Sequence, residues 1–336
     1  MKKSLIALAA LAAVTAASAQ STVTVSGKMR YALVTNSSNT AGTVIKATGI
    51  AITDGDVVFT SVEDLGGGMK ASADMAFQIG GRSRAAGNRD GNLKLSGGFG
   101  TVAFGSIDAG NGIYGLGSSG AGFLIGLDNL VLLDSGNTDY FSYTTPTMSG
   151  FSASVMLVDD ATATSGTNSL TGYSMDSTTA LQDGVVYGAK YANGPLSVSV
   201  DSTQYGNNAL AAGTARAVNR TRISANYNLG VAVVGAGYEA RDAKTSSTAS
   251  ALTTKDTVIS VNVPAGSYDF AAAYATSKTD GNTYTVTGYD LAARYNFSKR
   301  TYAALQYQSV KGVNLNVAYA AANEGKITRL QLSHSF

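Results

Sequence analysis

The chain has 336 residues, with 24 basic and 22 acidic side chains, one histidine and no cysteine. The absence of cysteine excludes a disulfide framework and thiolate metal sites. The charge balance lacks the basic excess that is typical of nucleic-acid-binding proteins. Hydrophobic residues make up 44% of the chain but are dispersed. No segment after the N-terminal one therefore predicts a membrane-spanning helix, which needs roughly 20 apolar residues.

The N-terminal segment has the pattern of a secretory signal peptide. Lys2 and Lys3 precede an apolar run over residues 5–17, and the Ala-Ser-Ala sequence that ends at Ala19 fits a cleavage site. The run is shorter than a spanning helix requires, which disfavours the alternative of a retained anchor. We predict a signal peptide over residues 1–19 and one exported domain over residues 20–336. Loss of the two lysines would leave equal numbers of acidic and basic residues.

The first segment after this leader, residues 21–34, alternates between apolar and polar side chains. Val23 and Val25 fall on one set of positions, and Lys28 and Arg30 on the other. Alternation places the two sets on opposite faces of a β-strand. A soluble sandwich would bury the apolar face, whereas a membrane barrel would turn it to lipid and keep the polar face in the lumen. Periodicity alone leaves both architectures open.

Similar segments follow along the chain, and tight turns alternate with longer connections between them. All three prolines fall at short turns, where the missing backbone N–H costs no ladder hydrogen bond. Short turns at one end and long loops at the other are typical of an outer-membrane barrel. We predict an all-β fold, a 16-stranded antiparallel transmembrane β-barrel with an inward-folded constriction loop. Its further strands are residues 54–63, 69–79, 89–96, 101–106, 138–145, 151–158, 184–192, 196–205, 220–228, 231–240, 255–263, 268–277, 284–297, 302–310 and 327–336.

The connection over residues 106–137 is rich in glycine and apolar side chains and has no Lys or Arg. A structureless connection longer than about 12–15 residues is uncommon in a compact domain and is usually functional or disordered. The apolar content argues against disorder. We predict a constriction loop inside the lumen that carries Asp108, Asp128 and Asp134. The alternatives are a large outer loop or a short helix near Leu130.

In a barrel with an open lumen, the charged side chains that line the bore determine which ions pass. Opposed acids and bases across a narrow bore would create a transverse field that acts on dipolar solutes. The alternative for each charged side chain is a solvated position in a wide part of the barrel. Lys28, Arg30 and Asp108 rank highest as candidate pore-lining residues. By alternation, the basic candidates for the lumen face are Lys28, Arg30, Lys94, Lys190, Arg222, Arg294 and Arg329. Besides the acids of the loop, the acidic candidates are Asp56, Asp74, Asp90, Glu239 and Asp290.

Several motifs, spread in order over most of the chain, carry a resemblance to a known family. They are EDLGGGMKA at residues 63–71, LKLSGGFGTVAFG at 93–105, SYTTP at 142–146, SKRT at 298–301 and the terminal Phe336. With these residues the chain resembles the Gram-negative general porins of beta-proteobacteria. The motifs are specific together, and each is weak alone.

The resemblance implies a homotrimer in the outer membrane that passes ions and small hydrophilic solutes by passive diffusion. It implies that the third outer loop, residues 107–137, folds inward to narrow the pore. Phe336 would be part of the signal for the barrel-insertion machinery. The implied partners are this machinery, outer-membrane lipid and lipopolysaccharide, and the solutes, without nucleic acid.

The chain departs from the family at the pore. Members of the family often have basic residues on the lumen face of the second, fourth and fifth strands. An alignment on the shared motifs places Asp56, Thr60, Asp90 and Ser106 there. This pattern weighs against strong anion selectivity, and the direction of the net selectivity stays open.

Two other classes of protein and a narrower channel are the alternatives. Ser-His hydrolysis needs a base next to the nucleophile. The single histidine, His334, lies two residues from the end on the predicted outer face. We therefore expect no enzyme, no cofactor and no metal site. A solute-selective channel, or a non-conducting structural or adhesin barrel, would have the same strands.

Overall fold

A computed structural model of the protein describes residues 21–40, 42–79, 86–108, 137–160, 165–167, 174–176, 184–205, 216–244, 250–282, 285–312 and 324–336. The described elements are all β-strands. The first half of the chain contains β1 Thr22–Thr40, β2 Thr43–Gly66, β3 Met69–Ile79, β4 Ala86–Gly97, β5 Gly100–Asp108, β6 Asn137–Thr144, β7 Phe151–Asp160, β8 Ser165–Thr167 and β9 Ser174–Asp176. The second half contains β10 Gly184–Asn193, β11 Leu196–Tyr205, β12 Arg216–Asn228, β13 Val233–Lys244, β14 Leu252–Ala265, β15 Tyr268–Thr279, β16 Val286–Asn296, β17 Thr301–Lys311 and β18 Glu324–Ser335.

Sixteen of these strands form one closed antiparallel barrel, and β8 and β9 form a separate two-stranded sheet. Each barrel strand pairs with its neighbours along the chain, and β1 pairs with β18 to close the ring. Closure leaves no edge strand in the ring, so the sheet satisfies its own backbone hydrogen bonds. The predicted 16-stranded antiparallel barrel is confirmed.

The two ends of the barrel differ, and we name them by their connections. The turn end holds the short turns, such as the one between β2 and β3, and both ends of the described chain. Gly66, Gly67 and Gly68 in that turn have φ angles of 77°, 61° and 79°, a backbone conformation that glycine adopts readily. The loop end holds the longer connections.

The first hairpin extends further than the alternation predicted. The predicted strands over residues 21–34 and 54–63 were too short, because β1 continues to Thr40 and β2 begins at Thr43. The added arm of β1 is rich in Ser, Thr and Asn, which blurs the apolar period there. Pairing between the arms, from Thr35–Thr48 to Thr40–Thr43, holds them as strands.

The barrel has its apolar side chains outside and its polar side chains inside. On β1, Val23 is 69% exposed on the outer face, whereas Arg30 is 8% exposed on the lumen face. On the lumen face of β16 and β17, Asp290 and Gln306 are buried. Small side chains fill the gaps between them, as in the cluster of Ala271, Ala292 and Ala304. This arrangement is the reverse of a soluble sandwich and fits a barrel surrounded by lipid.

The last residue of the chain lies in the closing seam. Gly27 and Phe336 exchange two backbone hydrogen bonds, each of 3.0 Å. A Cβ atom at Gly27 would collide with the Phe336 ring and with the backbone oxygen of Asp56. The absence of a side chain at Gly27 therefore gives the terminal aromatic ring its place on the outer face.

Candidate functional site

Lumen-facing charges form several clusters, and the first lies where β1 meets β2. Lys28 pairs with Asp56 in the register, and Arg30 pairs with Asp54. The Lys28 ammonium forms an ion pair with the Asp54 carboxylate, and a guanidinium nitrogen of Arg30 lies 3.8 Å from the same carboxylate. A β-bulge at Thr53 shifts the register beyond Arg30. Two bases and two acids therefore share one patch of the lumen wall.

The second cluster centres on Asp74 of β3. Thr60 of β2 donates a hydrogen bond of 2.8 Å to Asp74 Oδ1, and Lys94 Nζ of β4 lies 3.1 Å from Oδ2. Next to it, the Tyr140 hydroxyl donates a 2.6 Å hydrogen bond to Asn92 Oδ1. A hydroxyl and an ammonium from the two neighbouring strands thus fix the Asp74 carboxylate against the wall.

The third cluster spans β11 to β13 and is centred on Arg222. Its Nε and one terminal nitrogen both lie 2.8 Å from Asp201 Oδ1, and Glu239 Oε2 lies 3.9 Å from Nε. Arg220 lies next to Arg222 on the same face, and Arg241 pairs with Arg220 across β12 and β13. Three guanidinium groups therefore concentrate on this part of the wall.

The fourth cluster lies near the turn end, on β15 to β17. Arg294 donates two hydrogen bonds, of 2.9 Å and 2.6 Å, to Asp269 Oδ2, which also accepts a 2.7 Å bond from Asn296 Nδ2. The guanidinium carbon of Arg294 lies 5.2 Å from the centre of the Tyr302 ring, a cation–π distance. These contacts immobilise Arg294 beside the exit of the lumen.

The fifth cluster consists of amides around Asp290. Gln306 Nε2 donates a 2.7 Å hydrogen bond to Asp290 Oδ2, and Gln308 Nε2 lies 3.4 Å from the same oxygen. Arg329 pairs with Gln306 in the register of β17 and β18. All of these side chains face the lumen.

The closed ring brings two of the clusters face to face. In a ring of sixteen strands, β2 lies diametrically opposite β12, and β3 lies opposite β13. Asp54 and Asp56 of β2 and Asp74 of β3 therefore face Arg220, Arg222 and Arg241 across the lumen. All six residues lie in the middle part of their strands. Acids of β2 and β3 thus face guanidinium groups of β12 and β13, and each side also carries the opposite charge: Lys28, Arg30 and Lys94 near the acids, and Asp201 and Glu239 near the guanidinium groups.

The register places most of the predicted pore residues on the lumen face. These are Lys28, Arg30, Asp56, Thr60, Asp74, Asp90, Lys94, Arg222, Arg294 and Arg329, with Lys190, Glu239 and Asp290. Asp108 is the last residue of β5, and Asp128 and Asp134 lie outside the described residues. The constriction loop therefore stays a prediction.

The alignment-based position of Ser106 on the lumen face is wrong. Ser106 pairs with Gly91 and Asp139, and it shares its face of β5 with Phe104, which is 55% exposed on the outside. The turn at Gly97 and Gly100 sets this register, and alternation from Thr101 then turns position 106 outward.

Several charged residues of the lumen face were not among the predicted pore residues: Asp54, Asp64, Lys70, Asp201, Arg220, Arg241, Asp256 and Asp269. Most of them have the same alternation as residues that were predicted, so a complete count along each strand would have found them. Arg241 lies one residue beyond the predicted end of its strand.

Among the described residues, no group of three or more His, Cys, Asp or Glu side chains could hold a metal ion. In the same part of the chain, no helix has the length and hydropathy that a membrane crossing requires. Charged and amide side chains of the lumen wall make up the candidate site.

Comparison with known proteins gives this site a context. A sequence profile of the Gram-negative porin family matches residues 7–315. The outer membrane porin protein 32 of Delftia acidovorans is 32% identical over 262 residues, which cover 69% of this chain and 67% of that protein.

Solved structures share the fold. The anion-selective porin from Comamonas acidovorans has a TM-score of 0.72 and 20% identity, with 94% of this chain and 100% of that chain covered. OmpT of Vibrio cholerae in its trimer form has a TM-score of 0.64 and 13% identity, with 94% and 99% covered.

The chain belongs to the Gram-negative porin family, as its motifs indicated. It is an outer-membrane porin, a channel for the passive diffusion of solutes. The family and the fold are those of non-enzymatic channels. In a barrel of this kind the turn end faces the periplasm and the loop end faces the cell exterior.

Proposed function

We propose that this porin is a weakly ion-selective channel for small hydrophilic solutes, with a transverse electric field across its lumen. One observation carries the proposal: acids on β2 and β3 lie opposite guanidinium groups on β12 and β13. Fields of this kind act strongly in a confined lumen with walls of low dielectric constant. A dipolar solute would orient between the two sides as it passes.

Weak selectivity follows from the balance of charge. Among the side chains that the structure describes on these strands, the basic and acidic ones of the lumen face are equal in number. The basic set is Lys28, Lys70, Arg30, Lys94, Lys190, Arg220, Arg222, Arg241, Arg294 and Arg329, and the acidic set is Asp54, Asp56, Asp64, Asp74, Asp90, Asp201, Glu239, Asp256, Asp269 and Asp290. The Comamonas porin is anion-selective. With Asp56 and Asp90 in its lumen, the present chain would have no such strong preference.

The loop over residues 107–137 completes the proposal. We place it inside the lumen, where Asp128 and Asp134 would add negative charge at the narrowest point. Its glycine content and apolar side chains support packing against an inner wall. A net cation preference in the intact protein would reflect Asp128 and Asp134, because the described side chains of the lumen are balanced.

Single-channel recording in planar bilayers tests the function. The purified mature protein should insert with stepwise conductance. In a tenfold salt gradient it should give a reversal potential well below the ideal value of about 60 mV for a pore fully selective for a monovalent ion. A large reversal potential of either sign would contradict weak selectivity. Folded protein without conductance would contradict the channel itself and favour a plugged structural barrel.

We also propose that the chain is exported by residues 1–19, inserts by means of a signal that includes Phe336, and assembles as a homotrimer. The trimer form of Vibrio OmpT, which shares the fold, supports this assembly. Mass measurement of the mature protein tests cleavage after Ala19, and deletion of Phe336 tests insertion.

The outer face of the barrel supports an assembly surface on β2 to β5. Tyrosines at both ends of lipid-facing strands form the aromatic girdles of such barrels. Outward tyrosines occur on β10, β12, β13 and β15 to β17, whereas the outer faces of β2 to β5 have none. Phe59, Met75, Phe77, Leu93 and Phe104 lie there instead. Contact with neighbouring copies would explain why this sector lacks interfacial anchors.

A further inference from the structure

Lysines on the outer face are confined to one end of the barrel. On the described strands, each lysine that the register turns outward lies at the loop end: Lys46, Lys244, Lys255, Lys278, Lys311 and Lys326. The other lysines of the described strands face the lumen. We name these six residues the lysine belt. The belt runs from β13 through β18 to β2 and is interrupted at β16 and β1.

The depth of the belt matches the outer boundary of the membrane. A transmembrane strand tilted by about 45° needs about 9–11 residues to cross the hydrocarbon core. Tyr268 and Lys278 on β15 have this separation, with Phe270 and Tyr274 between them on the same face. The neighbouring face of β14 has Val263 and Ile259 below Lys255. The ammonium groups therefore lie where the apolar band ends and lipid headgroups begin.

The register brings belt lysines together instead of separating them. Lys255 and Lys278 are direct cross-strand partners. Like charges in directly opposed positions destabilise a sheet. Lys46 and Lys326 both pair with Ser37, one on each side of β1. Strands lie about 4.8 Å apart, so these two lysines flank a hydroxyl at about 10 Å from each other.

On the described strands and turns of this sector, three carboxylates lie beside the belt. Glu324 lies 3.0 Å from Lys326, and Asp280 lies 4.0 Å from Lys255. Asp242, the third acid of the same rim, accepts a 2.7 Å hydrogen bond from Thr253. The lysines of the belt outnumber these acids. The Lys255 side chain is 54% exposed and that of Lys326 is 47% exposed, so both can reach an external anion.

We propose that the lysine belt is a binding surface for the phosphate groups of an anionic glycolipid in the outer leaflet. The ammonium groups would contact the phosphates, and the apolar band below them would contact the acyl chains. A soluble anion would gain only the first of these contacts, which favours a lipid over free phosphate. The inference rests on the outer-membrane orientation described above and does not depend on ion selectivity.

The test uses the purified mature protein in nonionic detergent at low ionic strength. A fluorescent bisphosphorylated lipid A is titrated with wild-type protein, with Lys255→Gln/Lys278→Gln, and with the control Lys190→Gln/Lys299→Gln. The control removes the same charge from the lumen and a periplasmic turn. A lysine near an anionic lipid surface contributes about 1 kcal/mol, so the belt variant should bind about 30-fold more weakly. The control variant should bind as the wild type does.

Three outcomes would overturn the proposal. They are equal binding by the belt variant, equal binding of a dephosphorylated lipid A by the wild type, and displacement of the lipid by millimolar inorganic phosphate. Conductance and heat-modifiable migration of each variant report whether it folds. Lys311→Gln/Lys326→Gln, on β17 and β18, provides a second belt variant if the first does not fold. A wild type that binds the lipid without conducting would contradict the proposed channel and leave the belt intact.

Discussion

At the scale of single residues, Asp74 shows how the lumen wall fixes its charges. Its two oxygens accept from different neighbours, Thr60 on one side and Lys94 on the other. The carboxylate is therefore held in place on the lumen wall, where a permeating ion passes it.

Replacing Asp74 with Asn keeps the shape and removes the charge. We expect the reversal potential in a salt gradient to move toward anion selectivity, because one acid of the balanced set is lost. Stability should fall by only about 0.2–1 kcal/mol, since the ion pair with Lys94 is partly exposed. Asp139→Asn removes a carboxylate from the outer face of β6 and is the control. Equal shifts in the two variants would show that Asp74 does not act on the permeating ions.

A second prediction at the scale of single residues concerns Gly27, in the seam between β1 and β18. Gly27→Ala should destabilise the barrel by about 1–3 kcal/mol, because the methyl group would displace the Phe336 ring or the Asp56 carbonyl. Urea unfolding in lipid vesicles measures the loss. Gly98→Ala is the control, because a Cβ atom at Gly98 meets nothing within 4 Å. If both variants unfold at the same urea concentration, the contact with Phe336 is not a close one.

At the scale of elements, the β1–β2 hairpin has two unequal arms. The upper arm of β1 pairs with β2 and with β18 as far as Asn39. The described pairs of β2 with β3 begin only at Asp56, so within the described residues β1 is the only strand that pairs with the upper arm of β2. Val44 and Ile50 in this arm are 54% and 70% exposed.

Hydrogen exchange should separate the two arms. Amides of residues 44–52 that point away from β1 should exchange faster than those of residues 35–39, which have strand partners on both sides. Hydrogen exchange of the native protein, measured by mass spectrometry, compares residues 44–52 with residues 35–39, which lie at the same level along the barrel. Equal protection would indicate that another part of the assembly covers the edge of β2.

The strands also show how much of the fold and of the candidate site could be predicted from the sequence. Alternation, proline positions and turn glycines were enough to predict the strand count and antiparallel order, because a two-residue period is local information. The bulge at Thr53 depends on how β1 and β2 pair, so no single strand revealed it. The partners of Arg222 come from two different strands, and only the ring order shows that they meet. Asp128 and Asp134 belong to a segment without a period, and their place in the pore stays a prediction.

At the scale of the whole molecule, the absence of native tryptophan makes the assembly surface testable. Phe104 on β5 and Leu291 on β16 both point outward, with exposures of 55% and 48% in the single barrel. If β2 to β5 contact other copies, Phe104→Trp should be much less quenched by brominated lipids than Leu291→Trp. Size-exclusion chromatography with light scattering confirms the oligomeric state of both variants. Equal quenching would place the assembly surface elsewhere or show a monomer.

The hydrogen bonds between Gly27 and Phe336 also have a consequence for biogenesis. The first strand of the barrel closes on the last, so the ring has no final register until the C-terminus has been made and exported. A chain that stops early would keep two open strand edges, and each edge is a template for aggregation. Only a polypeptide that includes β18 can therefore close the ring and leave no edge strand.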